Sequence, residues 1–322
     1  MSETAAKAST YAANQFRTDA ADQDQTLAAV LRRRMPTQSW SAVRRLCETG
    51  KVRIEGQVIL NPAHRIALPC DVTLNMTAPR RREEVPGFRV AFEDAHLIVI
   101  EKPHGISSVP FERKETGTAL DLIRDHWRSQ RIAATTKPLY TVHRIDKETS
   151  GLLCFAKTKA CERGLHEIFQ RHLSARSYLA LAHGQVRGGR IESQIVPDRG
   201  DGLRGSTRNA LLGQRAVTNV DVLARFHEAT FCRVRLETGR THQIRIHLSE
   251  AGHPLVGEAV YIRDWENANQ VALPASRMML HAETLGFDHP ITGSRIDLDS
   301  PAPDAFASAM ARLTPIEGVR GA

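Results

Sequence analysis

The first clear periodicity in the chain is helical. In LAAVLRRRM, Leu27, Val30 and Leu31 recur every three to four residues, and Pro36 ends the run. A second helix is predicted over SWSAVRRLCETG, where Ser39 or Ser41 caps the start and Gly50 supplies a left-handed stop. Val43, Leu46 and Cys47 form its inner stripe, which leaves Arg44 and Arg45 on an outer face. Short alternating runs follow at Val52 and Ile54, Val58 and Leu60, and Val72 and Leu74, separated by the turn signals EGQ, NP and PCD. Two helices and a small sheet therefore predict a compact α/β module over residues 24–76. Residues 1–23 are polar, Ala-rich and aperiodic, and predict a flexible tail. TAPRRREEVPGF, residues 77–88, reads as a linker.

Beyond it both periods alternate. Strands are predicted at 89–92, 97–101, 151–156, 177–183, 217–226, 231–236 and 242–248, and helices over TALDLIRDHWRSQ and KACERGLHEIFQRHL. In the second helix Leu165, Ile168, Phe169 and Leu173 share one side. The expectation is an α+β fold: a mixed, mainly antiparallel sheet domain over 89–310 with flanking helices, followed by a C-terminal tail at 311–322. RGGRIESQIVPDRGDGLRGSTRN, residues 187–209, is rich in Gly and Arg and reads as a long basic loop.

Composition narrows the class. Hydrophobic residues at 41% and charged residues at 25% of 322 are ordinary for a soluble globular protein. No stretch has the length of a bilayer span and the first twenty residues lack the apolar centre of a secretory signal, so a cytoplasmic location is expected. The five cysteines contain no CxxC pair, which fits a reducing compartment and offers no zinc framework. The net charge of +8 is concentrated in residues 26–82, which hold eleven Lys/Arg against three Asp/Glu. A basic module of that size points to a polyanion, with nucleic acid ahead of a membrane surface.

Two polar clusters carry candidate chemistry. In YTVHRIDKETSGLLCFAKT, Asp146 sits between Arg144 and Lys147 at the foot of an apolar strand. In TGRTHQIRIHL, read as a strand, Ile244, Ile246 and Leu248 face one way while Gln243, Arg245 and His247 face the other. An interior arginine is costly without an anion, and Asp146 is a candidate for it. In SYLALAH, Tyr178 points to a cleft beside small residues. Each has a plainer reading: Asp146 as a structural ion pair, Tyr178 as a core residue with a satisfied hydroxyl, KPHG as a turn with Gly105 at a special backbone angle. His242 and His247 would lie on opposite faces of a strand, which argues against a shared metal.

RMPTQSWSAVRRLCETGKVRIEGQVILNPAHRI resembles the small RNA-binding domain of the ribosomal protein S-four type, with Cys70 where a glycine is usual before the final strand. That resemblance implies that Arg44, Arg45, Lys51 and Arg53 face structured RNA. Residues 88–307 resemble the RluA family of pseudouridine synthases through FEDAHLIVIEKPHGISSVP, HRIDKETSGLLCFAKT, RSYLALAHG, TGRTHQIRIHLSEAGHPLVGEAVY and LHAETLGFDHPITG. This implies that Asp146 is the catalytic aspartate, Tyr178 the active-site tyrosine, and Arg245 the arginine paired to that aspartate. Arg144 corresponds to the arginine that enters the space left by a flipped nucleotide, and Gln243 is grouped with the RNA-binding residues. Ile145, Glu258 and Ile262 depart from the family's usual residues without touching the implied chemistry.

The implied reaction detaches uracil from C1′ of a uridine in RNA, turns the base and rejoins it through C5. Such an isomerisation needs no cofactor and no metal, and one carboxylate rather than a hydrolase's two. The expected partner is RNA, ribosomal RNA by the combination of the two domains, with no membrane and a monomer as default. The alternatives are a non-catalytic RNA-binding or ribosome-assembly protein on the same fold, and a base-excising glycosylase with Glu148 activating water.

Overall fold

Local signals in the N-terminal part form the expected elements around one small core. A computed structural model describes residues 15–59, 61–76, 88–110, 115–130, 138–209, 211–267 and 270–316. Contacts divide the chain into two units, Met1–Val85 and Pro86–Ala322. In the first, α1 (Leu27–Arg34) and α2 (Trp40–Glu48) start at Thr26 and Ser39, whose hydroxyls accept from the N–H groups of Ala29 and Ala42. The strands β1 (Gln15–Arg17), β2 (Val52–Ile54), β3 (Gln57–Val58) and β4 (Asp71–Leu74) form an antiparallel sheet in the order β1-β4-β2-β3. Leu27, Leu31, Val43, Cys47, Val52 and Val72 are buried together beneath it.

The expected tail over residues 1–23 is corrected at 15–22. Phe16 pairs with Val72 in the sheet, and Asp19 and Asp22 close a capping box around a 3₁₀ turn. The buried Asp22 is ion-paired to Arg33 and Arg34, so charge complementarity orders a segment that hydrophobic periodicity does not reveal. Cys70 occupies its turn through paired bonds with Thr18: its N–H donates to the Thr18 hydroxyl at 2.8 Å and its carbonyl accepts the Thr18 N–H at 2.9 Å. Apart from Phe88, the predicted linker lies outside the described residues.

The second unit is built on β5 (Arg89–Glu93), β6 (Leu97–Lys102), β7 (Tyr140–Thr141), β8 (Ser150–Ala156), β9 (Ala175–His183), β10 (Gly189–Val196), β11 (Gly205–Thr207), β12 (Gln214–Arg225), β13 (Ala229–Leu236), β14 (Leu280–Asp288) and β15 (Arg295–Asp299). Its sheet runs β11-β10-β12-β13-β9-β14-β8-β6-β5, with β15 on β14 and β7 on β8. All pairs are antiparallel except β14 with β8, so the fold is α+β with a mixed, mainly antiparallel sheet. The α3 helix (Ala119–Ser129) packs Ile123 and Trp127 with Leu153 and Phe155 of β8. The α4 helix (Lys159–Gln170) packs Cys161 and Leu165 with Leu152 and Cys154. Covered on both faces, β8 reads as an unbroken apolar run. Gly151 fits the parallel pairing because it has no side chain: with φ +107°, a Cβ there would lie 2.2 Å from the carbonyl oxygen of Ala282.

Three other expectations change. Residues 243–250 form α5 (Gln243–Glu250), not a strand; left-handed His242 turns the chain into it and Gly252 ends it. Ile244 and Leu248, four apart, share one apolar cluster, while Ile246 belongs to another with Ala216 and Tyr261. The helix is buried all round, so its polar residues mimic a two-residue alternation. Within 187–209, the expected loop, β10 and β11 form an antiparallel pair whose glycines sit at the strand ends. Part of the expected C-terminal tail returns to the sheet, where the Ile316 N–H donates to the carbonyl of Arg225. The short helices α6 (Arg263–Asn267) and α7 (Asp304–Met310) complete the unit. Among the described residues no helix is long and apolar enough to cross a membrane.

Candidate active site

The segment from β7 to β8 makes a tight turn whose backbone is gripped on both sides of Asp146. The Ser108 hydroxyl donates to the carbonyl of Ile145 at 2.7 Å and accepts its N–H at 3.2 Å. The buried Lys102 Nζ donates to the carbonyls of Pro103, Ile106 and Lys147 at 2.8, 2.7 and 3.1 Å, tying the KPHG turn to the Asp146 turn. Burial, and then the charge of Arg277, pulls this amine down to about 7. The Thr149 N–H closes the turn on the carbonyl of Asp146. With Ile145 buried and residues 145 and 147 clamped, the Asp146 side chain has a fixed origin.

That side chain opens into a pocket of about 460 Å³ whose wall includes Arg144, Asp146, Tyr178, Ile244, Arg245 and Leu280. The volume suits one nucleoside. Asp146 is the only carboxylate among the described lining residues, and its side chain is 20% exposed. Arg245 Nη1 lies 3.4 Å from Asp146 Oδ2. The guanidinium's closer partner is Glu258: Nε and Nη2 donate to its two oxygens at 2.7 Å each. Desolvation opposes the Arg245 charge, but Glu258, and then Asp146, leave its pKa raised. Glu258 accepts in addition from the N–H groups of Ala259, Val260 and Tyr261, and its own pKa is lowered: Arg245 and these bonds outweigh burial. The departure at Glu258, expected to stand apart from the chemistry, thus holds the arginine beside Asp146.

Tyr178 lies on β9 with its ring on the pocket wall. Burial pushes its phenol up, Arg176 opposes that and Asp146 adds to it, so the ring is a neutral phenol at pH 7. His242 Nε2 is 3.9 Å from Asp146 Oδ1 and its Nδ1 bonds the Tyr261 hydroxyl at 2.8 Å. Burial lowers its pKa against the pull of Asp146, which makes it a neutral neighbour rather than an ion-pair partner. Arg144 is exposed, touching Thr241 at 3.4 Å.

Gln243 is corrected. Its amide nitrogen donates to the Val217 carbonyl and the Thr218 hydroxyl, and its oxygen accepts from Thr238 and the Arg240 N–H. All four hydrogen-bonding positions are filled within the protein, so no donor or acceptor is left for RNA. It fixes the start of α5 and thereby the direction of Arg245. His247 is likewise internal, bonded to Thr218 and Ser193. Lys102, Glu258 and His242 lay inside quoted motifs, but their roles needed the fold. In the first unit Arg44 and Arg45 are exposed and meet no carboxylate among the described residues. Trp40, 50% exposed, lies under the Arg44 guanidinium at 6.0 Å. Lys51 and Arg53 reach the carbonyls of Met76 and Gly56.

A family model described as RNA pseudouridylate synthase matches residues 96–250. The ribosomal large subunit pseudouridine synthase D of Zymomonas mobilis is 34% identical over 77% of this chain and 81% of its own. That of Pseudomonas aeruginosa is 33% identical over 84% of this chain and 86% of its own. Among solved structures, human RNA pseudouridylate synthase domain containing 1 aligns with a TM-score of 0.58 at 21% identity, covering 75% of this chain and 94% of that one. Its counterpart domain containing 4 aligns at 0.54 and 22%, over 69% and 92%.

Proposed function

Because the chain belongs to the RNA pseudouridylate synthase family, we propose that Asp146 is the catalytic aspartate with which it isomerises specific uridines of large-subunit ribosomal RNA. The protein is an RNA pseudouridine synthase, an isomerase. The observation that carries the assignment of Asp146 is its position: the one carboxylate on the described pocket wall, beside Arg245, on a backbone clamped by Ser108 and Lys102. The reaction calls for a carboxylate, and the Arg245 guanidinium 3.4 Å away orients its oxygen. No second carboxylate lines the described wall to activate water, which favours rejoining the base over releasing it. Glu148, the candidate for that task, is exposed and off the wall.

Tyr178, Ile244 and Leu280 offer faces for a pyrimidine, with the neutral phenol stacking on the base. Extruding the uridine costs on the order of a few kcal/mol, and Arg144 at the rim fills the gap it leaves. Residues 24–76 dock the RNA as a domain of the ribosomal protein S-four type. Arg44 and Arg45 supply phosphate contacts, and Lys51 and Arg53 continue the basic surface. The ribosomal substrate follows the names of the similar proteins.

The test is incubation with large-subunit ribosomal RNA tritiated at uridine C5. The wild type releases tritium and leaves pseudouridine, whereas Asp146→Asn binds the RNA and loses at least about 10³ of the rate. Free uracil as product, or an active Asp146→Asn, would overturn the assignment.

A further inference from the structure

We propose that Arg176, together with Arg240, grips a phosphodiester of the RNA next to the extruded uridine. This rests on the reading of the Asp146 pocket as a uridine site. Four arginines line that pocket against a single carboxylate. Arg245 is matched by Glu258, but Arg144, Arg176 and Arg240 meet no carboxylate among the described residues.

Solvated surface arginines need no partner, and Arg144 fits that description. Arg176 does not. Its Nε is cut off from solvent and has no acceptor. Its guanidinium rests on the Phe169 ring, 5.4 Å from the centroid, and over the bare α-carbon of Gly239, where a Cβ would lie 3.2 Å from Nη1. On the adjacent strand β13, by contrast, Arg233 is given Glu283, with two bonds of 2.7 Å. Withholding an anion from a half-buried guanidinium is costly unless a ligand brings one.

The geometry suits the RNA backbone. Arg176 stands two residues before Tyr178 on β9, hence on the same face and about 7 Å along the strand. A nucleotide whose base lies on Tyr178 carries its flanking phosphodiester one sugar away, and the planar arginine fork takes a phosphate through two parallel bonds. Arg240 is steered by its Nε, which donates to the carbonyl of Arg215 at 3.0 Å. His172 lines the same pocket, and its pKa is lowered by desolvation first and then by Arg176, Arg240 and Arg215, with Glu237 opposing them.

The experiment uses the full chain and an unmodified large-subunit ribosomal RNA transcript, with affinity measured across a salt series and pseudouridine formation followed in parallel. Arg176→Gln is expected to weaken binding about 10-fold near physiological salt and to lower the slope of log affinity against log salt by roughly one. The larger share of its loss falls on Kd rather than on the saturated rate. Arg176→Lys keeps most of the slope. Arg240→Gln, on a loop, repeats the slope change without disturbing β9. Wild-type slopes for both glutamine variants, in a protein that still makes pseudouridine, would overturn the phosphate site alone. No pseudouridine from the wild type would remove the underlying reading, and this site with it.

Discussion

Replacing Glu258 by glutamine tests how Arg245 is held beside Asp146. The carboxylate is completely buried and Arg245 is 7% exposed. Glu258 Oε1 accepts from Arg245 Nη2 and from three consecutive backbone N–H groups, while Oε2 accepts from Arg245 Nε. A glutamine has one oxygen. Whichever way it turns, its amide meets a donor, and a buried cation loses its balancing charge. Breaking such a pair costs about 3–5 kcal/mol, and the shape-preserving amide places the loss near 3. In a unit of this size that corresponds to a fall in Tm of about 6–12 °C. Arg245, freed on one side, collapses onto Asp146. If about 2.7 kcal/mol of positioning is lost from the transition state, single-turnover tritium release slows about 100-fold. Glu258→Asp, the residue usual at this position in the family, keeps the charge and should fall between. A Glu258→Gln protein that melts within about 2 °C of wild type and turns over within threefold would refute the reasoning.

Replacing Arg44 and Arg45 together by alanine should lower the salt slope of RNA binding by roughly two, read by filter binding; an unchanged slope would remove the first unit's docking role. Burial pulls His143, His183 and His247 down to about 3, 4 and 4 from an ordinary 6.5. The unfolded chain therefore binds protons that the folded one refuses, and stability falls as pH drops below 6.5, by about 2 kcal/mol per histidine at pH 5. Denaturant titrations at pH 7 and 5 should show this loss, and His247→Asn should reduce it; equal stability at both pH values would contradict neutral burial.

That Tyr178 faces a cleft is legible from strand alternation, whereas Asp146, with Glu148 two residues on, stands out only through the family motif around it. The first strand of the small unit is not legible: Asp19 and Asp22 matter through arginines elsewhere in the chain. α5 was misread because a helix buried on every side buries its polar residues too, and Gly252, its stop signal, lay beyond the alternating run. Gln243 followed that error into the wrong role. Glu258 and Lys102 act through partners distant in sequence, at 245 and at 147. Neither spacing nor charge pattern carries that information.

The insertion of β14 between β8 and β9 has a consequence for synthesis. The strand leading from the Asp146 turn and the strand carrying Tyr178 do not pair with each other; both pair with β14. A growing chain that has already delivered its carboxylate, phenol and guanidinium is still without the wedge that sets their spacing. A chain that ends before that strand is therefore expected to lack the shared neighbour that fixes the two pocket walls, and with it activity.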